Sequence, residues 1–134
     1  MFVLGLTGSI GMGKSTTAAM FRAEGIAVHD ADAAVHELYQ GKAASAVEAA
    51  FPGTTRDGVV DRALLAHAVL DDAAALARLE AIIHPLVAAS RDAFLVEASK
   101  NGAGLVVLDI PLLFETGSDR LVDAVVLHWP ALPW

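Results

Sequence analysis

A glycine-rich segment near the start of the chain has the residue types and spacing of a phosphate-binding loop. Gly8 is followed by four unconstrained residues and then by Gly13-Lys14-Ser15, which completes the pattern. Such a loop turns backbone N–H groups toward a polyphosphate, and the helix after it adds its positive end. Lys14 would place a charge on the β- and γ-phosphates, and the Ser15 hydroxyl would ligate Mg²⁺. The segment predicts that the chain holds a nucleoside triphosphate, with a chance glycine-rich turn as the alternative.

Three carboxylates follow apolar runs that have the composition of buried strands. Asp30 and Asp32 come after Ile26-Ala27-Val28-His29, and Asp109 ends the run that begins at Gly104. In a doubly wound α/β sheet the ligand lies at the carboxyl ends of the strands, so Asp30 and Asp32 are expected beside the phosphate loop. One of these two could accept a proton from an acceptor hydroxyl, and Asp109 could hold Mg²⁺ through water. The alternatives are structural, since aspartate also caps helices and strand ends.

Apolar runs and breakers predict the elements that must position these side chains. Four short apolar runs read as strands, and they should be parallel because stretches with helical spacing separate them. A helix over 15–23 follows the phosphate loop and is closed by Gly25. We expect one α/β domain with a core of 1–32 and 103–128, a helical insertion at about 33–102 and an atypical tail at 129–134. The predicted strands are Phe2–Leu6, Ile26–His29, Gly104–Asp109 and Ala124–His128.

The helical insertion has apolar residues at helical offsets, and Phe51-Pro52-Gly53 and Asp57-Gly58 break that pattern. The residues with this spacing are Leu79, Ile82, Ile83, Leu86 and Val87.

The insertion also contains further candidate residues, each with a structural alternative. His84 could cap a helix or pack in the interior, and Pro85 predicts a kink or a fresh helix start. His36 lies one turn beyond Asp32, although an exposed helix face is the simpler reading. Arg62 is expected to be solvated or paired locally. After the third strand, the run Leu112-Leu113-Phe114 is typical of core packing but emerges at the sheet edge where a ligand could lie.

Composition limits the class of protein. With 9 basic and 16 acidic residues among 134, the net charge is −7, which argues against a nucleic-acid-binding surface. The absence of cysteine excludes a disulfide framework, a thiolate zinc site and a thiol nucleophile. The sequence starts without the basic region of a signal peptide, and no apolar run approaches the roughly 20 residues that cross a bilayer. We therefore expect a cytoplasmic enzyme with no membrane partner.

Five sequence elements together resemble the dephospho-CoA kinases, which belong to the P-loop kinases. A phosphate loop alone is shared by adenylate, shikimate and gluconate kinases and many others. The combination of Asp-Ala-Asp, His-Pro and Asp-Ile-Pro-Leu-Leu is far more selective, and the likeness extends to about Leu127. The elements, in order, are Gly5–Thr16, Asp30-Ala31-Asp32, Asp61-Arg62 with Leu64, Ile83-His84-Pro85-Leu86 and Leu108–Glu115.

The resemblance implies a three-layer α/β/α P-loop kinase fold and a specific reaction. That reaction is the ATP-dependent phosphorylation of the ribose 3′-hydroxyl of dephospho-CoA, which yields CoA and ADP in the last step of coenzyme A biosynthesis. By position, Asp32 corresponds to the residue that activates the hydroxyl, and the insertion corresponds to the CoA-binding region. The implied ATP-binding residues are Gly8, Gly11, Met12, Gly13, Lys14, Ser15 and Thr16. The implied acceptor-binding residues are Asp32, His84, Leu112 and Leu113, with Ser15 and Asp109 as Mg²⁺ ligands.

The end of the sequence departs from this family. Its members continue past the fourth strand into an arginine-bearing lid helix pair, a fifth strand and a closing helix. Here residues 128–134 contain two prolines and two tryptophans, and the tail reads as a frameshift or premature stop. We expect a C-terminally truncated member lacking the lid and last strand. The alternatives are a catalytically impaired nucleotide-binding remnant and another small-molecule P-loop kinase, and the oligomeric state stays open.

Overall fold

Two compact units make up the chain. The computed structural model describes residues 1–8, 12–111, 113–114 and 116–128, with the backbone alone for 12–15 and 127–128. The sheet unit comprises 1–32 with 91–134, and the helical unit comprises 33–90. In chain order the elements are β1 (Phe2–Gly8), α1 (Met12–Ala23), β2 (Ala27–Asp30), α2 (Ala31–Tyr39), α3 (Ala44–Ala50), β3 (Thr55–Arg56), β4 (Val59–Val60), α4 (Arg62–Val69), α5 (Ala73–Lys100), β5 (Leu105–Asp109), a 3₁₀ turn (Ser118–Leu121) and β6 (Ala124–His128).

The sheet unit is built on a parallel sheet with the strand order β2-β5-β1-β6. Every pairing in it is parallel, which confirms the predicted parallel sheet and its four strands. Such strands are covered on both faces and therefore read as continuous apolar runs. In β5 the run Val106-Val107-Leu108 is fully buried, which explains why this strand could be predicted from the sequence.

Alternate residues of β1 face opposite layers, as the two-residue period of a strand requires. Leu6 packs with Ala18 of α1 and with Val107. Gly5 faces the other side, where a Cβ atom would lie 2.7 Å from Leu113 Cδ1. On that second side the His29 ring of β2 lies 5.4 Å from the Phe94 ring of α5, centroid to centroid. Helical layers on both faces of the sheet give the three-layer α/β/α arrangement expected from the resemblance.

Helix α1 ends where the sequence predicted, at a glycine with a left-handed backbone. Gly25 has φ of 80°, a conformation that is sterically unfavourable for a residue with a Cβ atom. Its N–H donates to the Arg22 carbonyl at 3.0 Å, and the Ile26 N–H donates to the Phe21 carbonyl at 3.1 Å. These two bonds form a Schellman motif and satisfy carbonyls that the helix itself leaves open. The chain can therefore turn directly from α1 into β2.

The helical unit has an apolar core of its own. Residues of α2 to α5 and of β4 contribute buried side chains, and Leu79 and Ile83 of α5 are central to it. Leu79, Ile82, Ile83, Leu86 and Val87 all bury or pack there, as their helical spacing predicted. The fully or nearly buried members are Leu38, Ala43, Ala44, Val47, Phe51, Val60, Leu65, Ala75, Leu79 and Ile83.

Pro85 lies inside α5, which runs unbroken from Ala73 to Lys100. The prediction of a fresh helix start at Pro85 is therefore wrong. Proline removes one N–H donor and leaves the carbonyl four residues earlier without its helical partner. Here Ala81 and Pro85 are both exposed, so water can satisfy that carbonyl and the helix continues.

The pair Asp57-Gly58, predicted only as a break in the helical pattern, forms the turn of a two-stranded hairpin. β3 and β4 pair antiparallel, with Thr55 opposite Val60 and Arg56 opposite Val59. Asp57 has φ of 53° and Gly58 has φ of 76°. Two positive φ angles in a two-residue loop match the type I′ turn, for which Asp-Gly is a favoured sequence. Each strand has only two residues, too few for a recognisable alternation.

Helix α5 is, within the described residues, long and apolar enough to cross a membrane by length and composition alone. Core helices of soluble proteins meet the same criterion, so this is weak support for a membrane span. Part of the apolar surface of α5 is used within the protein, since Ala75, Leu79 and Ile83 are buried. The sequence analysis missed this feature because it considered uninterrupted apolar runs rather than the hydropathy of a whole helix.

Candidate active site

The phosphate-loop segment lies between a buried strand and a helix, the context in which its pattern has meaning. β1 ends at Gly8, and α1 begins at Met12. Gly8 has φ of 146°, a conformation that glycine adopts without steric cost. Gly13, Lys14 and Ser15 lie in the first turn of α1, where backbone N–H groups have no intrahelical acceptor. Thr16 is exposed, and Gly11 lies outside the described residues.

The predicted carboxylates occupy the carboxyl edge of the same sheet. Asp30 and Asp109 end β2 and β5 and are register partners. Asp109 is 5% exposed, whereas Asp32 is exposed. Asp109 is also the register partner of Leu6 in β1, two residues before Gly8. The structure thus brings Asp109 to the end of β5, the strand beside the phosphate-loop strand β1, and Asp30 to the end of β2, one strand further away.

Asp30 caps helix α2. Its Oδ1 atom accepts a hydrogen bond from the Asp32 N–H at 2.9 Å, so the structural alternative applies to this residue. Asp32 follows as the second residue of α2. A carboxylate in the first turn interacts favourably with the positive end of the helix. Of the two aspartates, Asp30 uses its carboxylate to cap the helix, whereas Asp32 is exposed on the first turn.

The segment after β5 is attached to β1 by backbone and side-chain contacts. The Ile110 N–H donates to the Leu6 carbonyl at 3.0 Å, and the Leu113 N–H donates to Thr7 Oγ1 at 3.5 Å. Leu113 is fully buried against Gly5. The core-packing alternative thus describes Leu113, which supports its segment from within, while Phe114 is 54% exposed. Leu112 lies outside the described residues.

The positive charge of Arg91 acts on His29 near the carboxyl edge, an effect that the sequence did not predict. His29 contacts Phe94 and is half-buried. Burial lowers the pKa of His29 below its usual value of 6.5, the Arg91 charge lowers it further, and Asp30 acts in the opposite direction. No local pattern indicates this effect, because β2 and α5 meet only through the tertiary fold.

The helical unit carries the remaining predicted residues. His84 is exposed on α5, and His36 Nε2 lies 2.9 Å from Gln40 Nε2. The Arg62 guanidinium lies 5.8 Å from the centre of the Tyr39 ring, a local cation–π pair of the kind expected for this arginine. Burial raises the pKa of Tyr39, and Arg62 acts in the opposite direction.

The carboxyl edge offers oxygen donors of the kind that Mg²⁺ prefers. Asp109 ends β5 as the register partner of Leu6 in the phosphate-loop strand, and carboxylates are hard oxygen ligands. Within the described part of the chain, no group of three or more His, Cys, Asp or Glu side chains is arranged to hold a metal ion. This donor set fits the usual Mg²⁺ arrangement in nucleotide sites, in which one or two protein groups assist the phosphate oxygens.

Known proteins similar to this chain share one description. The sequence profile of the family described as "Dephospho-CoA kinase" matches residues 2–131. A dephospho-CoA kinase of Rhodopseudomonas palustris (strain BisB18) is 62% identical over 127 residues, which are 95% of this chain and 64% of the relative. The corresponding protein of Mesorhizobium japonicum is 67% identical over the same length and coverage. The chain thus spans 64% of the length of these curated relatives.

Two solved structures share its fold. A crystal structure of a Thermus thermophilus protein superposes with a TM-score of 0.79 at 38% sequence identity, covering 94% of this chain and 64% of the other. A dephospho-CoA kinase from Campylobacter jejuni has a TM-score of 0.73 at 21% identity, covering 98% of this chain and 66% of the other. The second likeness concerns the fold alone.

Proposed function

The chain belongs to the dephospho-CoA kinase family, and from that premise we propose that it transfers the γ-phosphoryl group of ATP to the ribose 3′-hydroxyl of dephospho-CoA. The products are CoA and ADP. The observation that carries the proposal is the sheet unit's carboxyl edge. There Gly8 at the end of β1 leads to α1, Asp109 ends the adjacent strand β5, and Asp30 ends β2 beyond it. This edge is the one at which open α/β sheets bind ligands.

The proposed step needs little covalent chemistry from the protein. The acceptor O3′ forms a bond to the γ-phosphorus while the bond from that phosphorus to the β–γ bridging oxygen breaks, so ADP leaves. The Asp32 carboxylate accepts the proton of the O3′ hydroxyl. Lys14 and the N–H groups of the first turn of α1 would bind the phosphates. Positioning and charge neutralisation dominate such a transfer.

The remaining residues have supporting roles in the proposal. The Ser15 hydroxyl and, through water, the Asp109 carboxylate would hold Mg²⁺, which neutralises phosphate charge when bound. His84 and Leu112 would line the acceptor site, and Leu113 would hold Leu112's segment through its own burial. The helical insertion, predicted at about 33–102, would receive the rest of dephospho-CoA. We further propose a cytoplasmic protein without nucleic-acid or membrane partners.

Transfer is tested by ADP release with Mg·ATP and dephospho-CoA, with phosphorus NMR to place the new phosphate on O3′. We expect Asp32→Asn to lower kcat by about 10² to 10⁴, the usual contribution of a general base. The matched control is Asp71→Asn. Asp71 is exposed with φ of 54°, which asparagine tolerates, so its kcat should equal that of the unaltered chain.

Three outcomes would contradict the proposal in different ways. Equal rates for the unaltered chain and Asp32→Asn would remove Asp32 from catalysis. Phosphorylation of shikimate, gluconate or a nucleoside monophosphate with dephospho-CoA inert would indicate another small-molecule kinase. Binding of Mg·ATP without ADP release would leave a nucleotide-binding protein.

A further inference from the structure

We infer that Asp30 is a positioning residue, whose carboxylate fixes the first turn of α2 and thereby aims the Asp32 carboxylate at the acceptor hydroxyl. This inference rests on the proposed function and concerns how the site is built. The resemblance singles out Asp32 as the chemical group. The neighbouring Asp30 has a separate task, which requires only an oxygen that accepts a hydrogen bond.

The junction between β2 and α2 contains no intervening loop. β2 ends at Asp30 and α2 begins at Ala31. The register pairing of Asp30 with Asp109 fixes this end of the junction on the sheet. Asp30 Oδ1 then accepts the Asp32 N–H at 2.9 Å. That N–H belongs to the first turn, whose donors have no acceptor within the helix.

Because Asp32 is exposed, the position of its backbone largely determines where its carboxylate lies. An exposed side chain has little packing to hold it, so the position of its carboxylate depends chiefly on the backbone that carries it. The hydrogen bond from the Asp32 N–H to Asp30 holds that backbone at the residue itself. A displacement of about 1 Å at a reacting group can cost roughly 10²-fold in rate.

The helical unit contains the same cap without a catalytic candidate behind it. Asp61 Oδ1 accepts the N–H groups of Ala63 and Leu64, each at 3.1 Å, at the start of α4. The residue two positions after Asp61 is an alanine, whereas the residue two positions after Asp30 is Asp32. Asp61 therefore supplies a control for cap loss in the same chain.

Two substitutions at position 30 separate an oxygen acceptor from a negative charge. Asp30→Asn keeps an oxygen that can accept the Asp32 N–H and removes the charge, and asparagine is as good a cap as aspartate. Asp30→Ala removes both. We expect Asp30→Ala to lower kcat by roughly 10- to 100-fold with the KM for ATP within about twofold, since the phosphate loop keeps its own backbone. Asp30→Asn should stay within about threefold of the unaltered kcat. Asp61→Ala should leave hydrogen exchange of the Asp32 amide unchanged.

Hydrogen exchange of the Asp32 amide measures the effect of the same variants on the cap and does not require an active enzyme. We expect faster exchange in Asp30→Ala, near-original exchange in Asp30→Asn and no change at the Ala63 amide in either. If the unaltered chain releases no ADP, the proposed function fails while this exchange measurement still decides the cap. Unchanged Asp32 exchange in Asp30→Ala would overturn the inference. It would also fail if Asp30→Asn lost as much kcat as Asp30→Ala, because Asp30 would then act through its charge.

Discussion

The sheet unit and the helical unit use aspartate differently, although both contain the residue at helix starts. In the helical unit, Asp61 and Asp72 accept backbone N–H groups of α4 and α5. In the sheet unit, Asp30 does the same for α2, while Asp109 is buried at the end of β5 and Asp32 is exposed. Helix starts thus account for Asp61 and Asp72 of the helical unit and, of the three aspartates at the carboxyl edge, for Asp30.

The cores of the two units also differ in where they bury polar residues. The helical unit buries a cluster of ten apolar side chains, with Arg62 and Arg78 placed over aromatic rings at its periphery. The sheet unit buries the polar residues Thr7 and Asp109 near its strand ends, whereas in the helical unit the buried Thr54 donates its hydroxyl to the Phe51 carbonyl at 2.6 Å. Burial of polar groups costs free energy unless they are bonded, so apolar packing alone does not explain the two buried polar residues at this edge.

The largest expected effects lie at the contact between Gly5 and Leu113. Leu113→Ala should lower the free energy of unfolding by about 2 to 5 kcal/mol, since a fully buried leucine leaves a cavity. Gly5→Ala should cost about 1 to 3 kcal/mol, because its Cβ would lie 2.7 Å from Leu113 Cδ1. Denaturant unfolding measures both.

The helical unit provides the contrast for this pair. A Cβ atom at Gly41 would meet nothing within 4 Å, so Gly41→Ala should change the unfolding free energy by no more than about 1 kcal/mol. The double variant Gly5→Ala with Leu113→Ala should cost less than the two single variants together, because the smaller side chain makes room. Additive costs would show that the two residues do not share one contact.

The cap of α4 should give a smaller effect confined to stability. Asp61→Ala removes acceptors for two N–H groups and should cost about 1 kcal/mol, while Asp61→Asn should cost little. The Arg56–Asp61 ion pair, at 3.4 Å and largely exposed, should contribute little. Equal losses in the alanine and asparagine variants would instead attribute the effect to that charge pair.

The perturbed histidine of the sheet unit should make folding stability depend on pH. Because burial, assisted by Arg91, lowers the folded-state pKa of His29 below 6.5, the unfolded chain binds its proton first as the pH falls. The contribution is fully present above pH 6.5 and is lost as the pH falls from there through the folded-state pKa. Thermal unfolding from neutral to mildly acidic pH should show a shallower pH slope in His29→Gln. An unchanged slope in His29→Gln would contradict this attribution.

Titration of Tyr39 in the helical unit should have the smallest effect on folding stability, but its absorbance change can be assigned to one residue. Tyr39 is the only tyrosine, so phenolate absorbance reports it alone. Burial raises its pKa above 10.0, and Arg62 opposes that rise. The Tyr39 contribution to stability is therefore present below pH 10 and lost as the pH rises through the folded-state pKa. Arg62→Gln should move the phenolate titration of Tyr39 to higher pH. Arg78→Gln, which removes the guanidinium beside Phe51, should leave that titration unchanged. A shift in both variants would attribute the effect to the net charge of the protein rather than to the Arg62–Tyr39 contact.

The features that could be predicted from the sequence are those with local causes. Apolar strand runs, the Gly25 helix end and the spacing of Leu79 and Ile83 each depend on a few neighbouring residues, and the structure confirms them. The family followed from five separated elements and is confirmed by the relatives. The roles assigned to Lys14, Ser15, Asp32 and His84 stay predictions, as does the functional division of the insertion.

The features that were missed depend on contacts between distant segments or on solvent. The continuity of α5 through Pro85 depends on the exposure of Ala81, which a sequence does not state. The neighbourhood of His29 and Arg91 exists only after β2 and α5 have packed. The choice between capping and catalysis at Asp30 needed an atomic distance. The 2.9 Å bond from the Asp32 N–H shows that Asp30 caps α2.

The central claim is that the carboxyl edge of the sheet unit receives the triphosphate. Amide NMR shifts of the chain titrated with a non-hydrolysable Mg·ATP analogue test it most directly. We predict the largest shifts at Gly8, across 12–16 and at Asp109, with smaller ones at Asp30 and Asp32 and saturation at one equivalent. Shifts confined to the helical unit, for example along α4, or none at Gly8 and 12–16, would contradict the account.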